Sequence, residues 1–178
     1  MPRIKTVLSD EAQGVVKQGY DMYLTHFGTI PKPMEMLSVS PELFELQLKR
    51  NRYFASHSNL SFGLLTHIRY MASLELSYRF CIDFNKMLLE KQGLNDEDFC
   101  RLENDPCQTI LEEHEDAMLA FVVKALKNPS AVTDADILKL RGLGWTDKDM
   151  VDAMLHGVSM TNHAVMMQVF DMDPNCLL

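Results

Sequence analysis

Apolar residues in this chain recur every third or fourth position in nearly every segment, and alternating β-patterns bounded by turns are absent. That rhythm suits helices that each bury one face, so the predicted fold is all-α. Cap residues punctuate the pattern. Ser9 before Asp10, Glu11 and Ala12 predicts a helix running towards Phe27, closed by the turn Gly28–Pro33. Ser40-Pro41-Glu42 opens a second, with Leu43, Leu46, Leu48, Tyr53 and Phe54 as its expected buried positions. Ser58–Ser61 begins a third, whose stripe is Leu64, Leu65, Ile68 and Met71. Ser77 is the expected cap of the next, ending near Gly93.

A shorter helix follows Asn95, and another spans about Thr109 to Lys127, with Ile110, Leu111, Met118, Phe121, Val122 and Leu126 apolar. Thr133 with Asp136 reads as a capping box, and Gly142-Leu-Gly144 ends the short helix behind it. Thr146 starts the last helix. Its stripe of Val151, Met154, Leu155, Val158, Val165, Met166 and Val169 predicts a core-facing surface.

At 178 residues the chain is long enough for one domain with a proper core, and residues 1–178 are read as a single domain. Apolar residues make up 47% and charged ones 24%, the balance of a globular protein in water. A net charge of −8 without Lys/Arg clusters argues against a nucleic-acid partner. The start Met1-Pro2-Arg3-Ile4-Lys5 leads into no apolar signal core, and the longest strongly apolar run is Met118 to Val123, far short of a span. A cytoplasmic protein without a membrane partner is expected. Cys81, Cys100, Cys107 and Cys176 include no C-x-x-C pair and no zinc-finger spacing, so no metal or other cofactor is expected and the thiols should be reduced. Cys100 and Cys107 flank a short stretch and could in principle meet, but nothing else suggests export and no bridge is expected there.

The candidate chemistry lies in Tyr78-Arg79-Phe80-Cys81-Ile82-Asp83-Phe84-Asn85, where Tyr78, Cys81 and Asn85 share a helical face at i, i+3 and i+7. A cysteine near a helix amino end is favoured as thiolate, and Arg79 and His67 would add positive charge if they fold inward, against the nearby Asp83. The same cysteine on an apolar face also reads as a small packing residue, or as a metal ligand. His67, Tyr70, Tyr78 and Asn85 are expected to converge on it. The Tyr78 phenol would either donate to a substrate oxygen or reach solvent, and His67 would serve as a general base or as a satisfied structural histidine.

Glu112–Asp116 reads as a solvated acidic helix start rather than a metal site, with Glu112, Glu115 and Asp116 on one face. His156 and His163 share a face of the last helix. The thirteen methionines suit an adaptable core and subunit contacts.

Three stretches resemble one superfamily. GTIPKPMEMLSVSPELF from Gly28, LLTHIRYMASLELSYRFCIDFN and AVTDADILKLRGLGWTDKDMVDAMLHGVSMTNH are together similar to the alkylhydroperoxidase-D-like (AhpD-like) and carboxymuconolactone decarboxylase superfamily, particularly its peroxidase-related branch. The resemblance covers roughly residues 28 to 163. It implies an AhpD-like helical bundle with a helix-break-helix active-site motif, assembled as a homo-oligomer and acting on a small-molecule substrate. Redox members carry C-x-x-C, a trailing His and a preceding Glu. Carried over, the second Cys falls on Cys81, the first on Tyr78, the His on Asn85 and the Glu on Thr66, beside His67. The resemblance thus implies a degenerate one-cysteine site, Cys81 with Tyr78, His67, Asn85 and Thr66, and argues against a dithiol mechanism. A thiol-dependent peroxidase, a decarboxylase-type lyase acting on a small carboxylate or lactone, and a non-catalytic binding protein all stay open.

Overall fold

The computed structural model describes residues 2–105 and 109–172. Cys107 and Cys176 lie outside them, and with Cys107 any bridge to Cys100. Among the described residues there are nine α-helices and no strand: α1 (Gly14–Phe27), α2 (Lys32–Leu37), α3 (Pro41–Ala55), α4 (Phe62–Glu75), α5 (Arg79–Glu90), α6 (Asp96–Asn104), α7 (Glu113–Lys127), α8 (Asp134–Gly142) and α9 (Asp147–Val169). They fall into two compact units. Of the described residues, one unit holds 2–57 and 165–172, and the other 58–105 and 109–164.

In the first unit, Ala12, Val16, Tyr20, Tyr23, Met34, Phe44 and Leu48 form the core. Tyr20 meets Phe44 edge to face at 5.8 Å. A Cβ at Gly19 would stand 2.4 Å from the Phe44 ring, so only glycine lets α1 approach α3 this closely. The first helix begins at Gly14, not Ser9. The preceding segment is held in irregular form, with Tyr20 donating to the Val7 carbonyl (3.0 Å) and the Val7 N–H to Ser38 Oγ (2.9 Å). On α3, Phe44, Leu48 and Phe54 are buried as expected of the last two, while Leu43, Leu46 and Tyr53 are exposed. Positions 44 and 48 lie one turn apart on the face towards α1; 43 and 46 lie together on the far side of the helix.

In the second unit, α4 runs through the core. Ser61 caps it by accepting from the Leu64 N–H at 3.0 Å, and Leu64, Leu65, Ile68 and Met71 are all buried as expected. The neighbouring capping boxes, Asn95 with Asp98 and Thr133 with Asp136, are both formed. Helix α7 starts at Glu113 rather than Thr109, because Thr109 spends its hydroxyl oxygen on the Leu111 N–H and its proton on Asp116, leaving Ile110 exposed.

The largest correction concerns α9. Val151 (66% exposed), Leu155 (51%), Val158, Val165, Met166 and Val169 face outward, and the buried face of the helix carries Met150, Ala153, His156, Ser159, Met160, Ala164 and Met167. Crowding selects that face. A Cβ at Gly157 would lie 2.9 Å from Val122 of α7 and 3.3 Å from Ile68 of α4, so a branched side chain has no room at that position of the wall.

Among the described residues no helix is long and apolar enough to cross a membrane.

Candidate functional site

The break between α4 and α5 sets the geometry. Ser77 is not a cap: it sits in the left-handed region at φ 50°, closing α4, with its N–H on the Leu74 carbonyl (3.0 Å) and the Tyr78 N–H on the Ser73 carbonyl (2.9 Å). That is the two-bond helix ending in which glycine is the usual left-handed residue. Tyr78 takes the N-cap position of α5 without a side-chain cap bond, and Cys81 is the third residue of the helix. Its first-turn N–H groups therefore lie beside the sulfur-bearing residue.

Arg69 of α4 holds the surroundings of Cys81 together, and sequence reasoning missed it. Its Nε donates to Asn85 Oδ1 at 2.8 Å, its Nη2 to Thr66 Oγ1 at 2.9 Å and its Nη1 to His156 Nε2 at 3.0 Å. A guanidinium has no acceptor, so His156 Nε2 is the unprotonated ring nitrogen. Asn85 passes the link on, donating from Nδ2 to the Cys81 carbonyl at 2.8 Å. Thr66 in turn donates to the Phe62 carbonyl at 2.7 Å, and the Phe62 ring lies 5.9 Å from the Arg69 guanidinium carbon. The positions matched to the superfamily's Glu and His, Thr66 and Asn85, are thus joined through one arginine.

Burial pushes the Arg69 guanidinium down to about 10, and the Cys81 sulfur opposes that shift, which places the two groups within electrostatic reach. At neutral pH Arg69 remains charged. No carboxylate forms an ion pair with it among the described residues. A signal existed in the sequence: Arg69 is the one full charge inside the apolar stretch from Leu64 to Leu74, where a charge is costly without a purpose.

The remaining candidates divide. Tyr78 is fully buried, so its hydroxyl does not reach solvent. Cys81 is 5% exposed and is not part of a disulfide. Arg79 turns outward to Asp83 (3.0 Å) and supplies no charge inward.

His67 and Tyr70 do not converge on Cys81. Tyr70 reaches Glu103 of α6 and His67 faces Asp116 and Glu115 of α7, the pair lying about 100° around α4 from the mean direction of Thr66 and Arg69. The Tyr70 hydroxyl donates to Glu103 of α6 at 2.5 Å, and burial followed by that carboxylate raises its pKa. His67 donates from Nδ1 to the Gly63 carbonyl at 2.8 Å, which leaves Nε2 buried with no partner among the described residues. Burial lowers its pKa, against the pull of Asp116 and Glu115 of α7. Those two are not fully solvated: Glu115 is buried, and burial raises the Asp116 pKa. Among the described residues no group of three or more His, Cys, Asp or Glu side chains is placed to hold a metal.

Two solved structures match this architecture over nearly its whole length. An uncharacterized peroxidase-related protein from Ralstonia eutropha JMP134, described as an alkylhydroperoxidase AhpD core, superposes with a TM-score of 0.80 at 18% identity, covering 97% of this chain and 91% of that one. An uncharacterized peroxidase-related protein from Silicibacter sp. TM1040 gives 0.76 at 17%, covering 97% and 93%. The chain has the AhpD-like fold. No family profile matches it, and no curated protein does.

Proposed function

We propose that this AhpD-like protein is a one-cysteine, thiol-dependent oxidoreductase that reduces a peroxide or a comparable small electrophile at Cys81. The observation that carries the reading is the Arg69 guanidinium, bound to Thr66, Asn85 and His156 and within electrostatic reach of the Cys81 sulfur. A fixed cation and the open N–H groups of a helix start both favour a thiolate, the reactive form of cysteine. The thiolate attacks one peroxide oxygen, the O–O bond breaks, and the other oxygen leaves with a proton as alcohol or water. Cys81 is left as a sulfenic acid.

The test is to treat reduced protein with dilute hydrogen peroxide, trap sulfenic acid with dimedone, and analyse the tryptic peptide 80–86, which contains Cys81 alone among the cysteines. Labelling at Cys81 is expected. Labelling confined to the exposed Cys100 would end the proposal.

A second reading draws on the same guanidinium. A decarboxylase-type lyase would seat the carboxylate of a small acid or lactone there and needs no thiol, so its activity would survive Cys81→Ser.

We also infer a cytoplasmic homo-oligomer. The association is supported by Val151, Leu155, Val158 and Asn162, exposed on α9 at spacings of four, three and four, a self-complementary seam with one polar member.

A further inference from the structure

Arg69 has more donors than the protein uses. Of its five N–H groups, three go to the neutral acceptors Thr66, Asn85 and His156, and two have no partner among the described residues. A guanidinium set into a protein is normally matched by an anion, since a desolvated charge without one is costly. Among the described residues no carboxylate pairs with it, and Asn85, which accepts from Arg69 and donates to the Cys81 carbonyl, links the guanidinium to the cysteine whose sulfur acts on it electrostatically. The reduced thiolate fills that role. Its oxidation removes the negative charge, because a sulfenic acid and a disulfide are both neutral. Oxidation therefore leaves a partly exposed cation with free donors and no anion beside the sulfur that must next be reduced.

The chain has no thiol one helical turn away to carry out that reduction: Tyr78 stands there. The reductant proposed for that step is an external thiol. We propose that the Arg69 cluster receives the carboxylate of a small anionic thiol, the reductant that returns Cys81 to its thiolate. The proposal rests on the reading of Cys81 as a reactive thiol. The first thiol attacks the sulfenic sulfur, an S–S bond forms, the S–O bond breaks, and hydroxide leaves as water with the thiol proton. A second thiol attacks the outer sulfur of the mixed disulfide and releases the small-molecule disulfide and the Cys81 thiolate. Two thiols thus supply the two electrons consumed by one peroxide.

A net charge of −8 repels anions in bulk, so a preference for an anionic partner has to come from the local guanidinium. Thiol–disulfide exchange reports on the same seat directly. Reduced protein is mixed with three disulfides of similar size, dithiodiglycolate (anionic), 2-hydroxyethyl disulfide (neutral) and cystamine (cationic), and mixed-disulfide formation is followed by mass spectrometry of the peptide 80–86. Dithiodiglycolate is expected to react at least about tenfold faster than cystamine, a margin in the range of local electrostatic steering. Arg69→Gln should abolish or invert that order, and Arg69→Lys should retain part of it.

Equal rates in the wild-type protein, or cystamine the fastest, would overturn the anion seat, as would an anion preference that persists in a folded Arg69→Gln variant. The wild-type charge order alone decides the matter if the variants do not fold. If Cys81 takes up none of the three reagents, the reactive-thiol reading itself falls, and the anion seat with it; uptake blind to charge removes only the anion seat.

Discussion

Arg69 donates through Nε to Oδ1 of Asn85 at 2.8 Å, joining the middle of α4 to the second turn of α5. Both ends of the Asn85 side-chain amide are engaged, since it also donates to the Cys81 carbonyl. The two bonds fix which end of the Asn85 amide is oxygen, because a guanidinium can only donate and a carbonyl only accept. They also clamp the first turns of α5 at the residue whose sulfur is proposed to react.

Removing that clamp should be expensive. Asn85→Ala leaves the Arg69 Nε without its acceptor and removes the side-chain bond to the Cys81 carbonyl, and the expected loss is about 1–3 kcal/mol by urea denaturation. Asn85→Asp should fare better, because the new carboxylate lies against a cation that otherwise has none. A larger loss for Asp than for Ala would contradict the charge balance described for this site.

Gly157→Ala tests the close approach of α9 to α4 and α7. The added methyl would meet Val122 at 2.9 Å, and overpacking of this kind costs about 1–3 kcal/mol. Replacing a helical glycine by alanine recovers up to about 1 kcal/mol, so a net loss of about 1 kcal/mol is expected in thermal or chemical unfolding. Gly142→Ala, which meets nothing within 4 Å, is the matched control and should not destabilise.

Ser77→Gly should stabilise the protein. Ser77 holds a left-handed conformation at φ 50°, which costs a residue with a side chain roughly 1 kcal/mol and costs glycine little. Part of the gain is returned as extra freedom in the unfolded chain. The net expectation is a rise of about 0.5 kcal/mol or slightly more, read from the urea midpoint at unchanged slope.

His67 should make stability fall on mild acidification. Its folded pKa lies below 6.5 because burial disfavours the imidazolium, so the unfolded state binds the proton more readily. Stability is therefore full above pH 6.5 and declines as the pH drops below that value, by at most about 1.4 kcal/mol per pH unit. His67→Gln should flatten the slope between pH 6.5 and 5. An unchanged slope would mean that the imidazole is not the group responsible.

Leu155→Glu together with Val158→Glu should lower the sedimentation mass at equal concentration while the far-ultraviolet circular dichroism stays the same. Both side chains are exposed, so the fold itself has little to lose from the change. Unchanged mass would remove α9 as the association surface.

Much of the architecture was legible before any coordinates, and the reason is local. Ser61, Asn95 and Thr133 announce helix starts because their side chains reach backbone N–H groups only a few residues away. Leu64, Leu65, Ile68 and Met71 form a buried stripe because α4 is enclosed by its neighbours. Reading failed where the deciding contact is distant. Val151, Leu155 and Val158 look like a core face by hydropathy, yet Gly157, Ala153 and Ala164 occupy the wall, since the distance between helices selects for size as well as for apolarity. Ser77 resembles a cap, but the chain direction needed to turn α4 into α5 places it in the left-handed region.

The site divides along the same line. Sequence alone determined that Cys81 sits near the amino end of a helix, that Tyr78 and Asn85 share its neighbourhood, and that no second thiol stands at dithiol spacing, because helical periodicity sets which positions of one segment lie together. Only the tertiary structure decided that Arg69 gathers Thr66, Asn85 and His156, and that His67 looks instead towards Glu115 and Asp116. A period assigns each side chain to a face of its own helix; what that face meets depends on how separate helices pack, and Asn85 and His156 lie 16 and 87 residues from the arginine that gathers them.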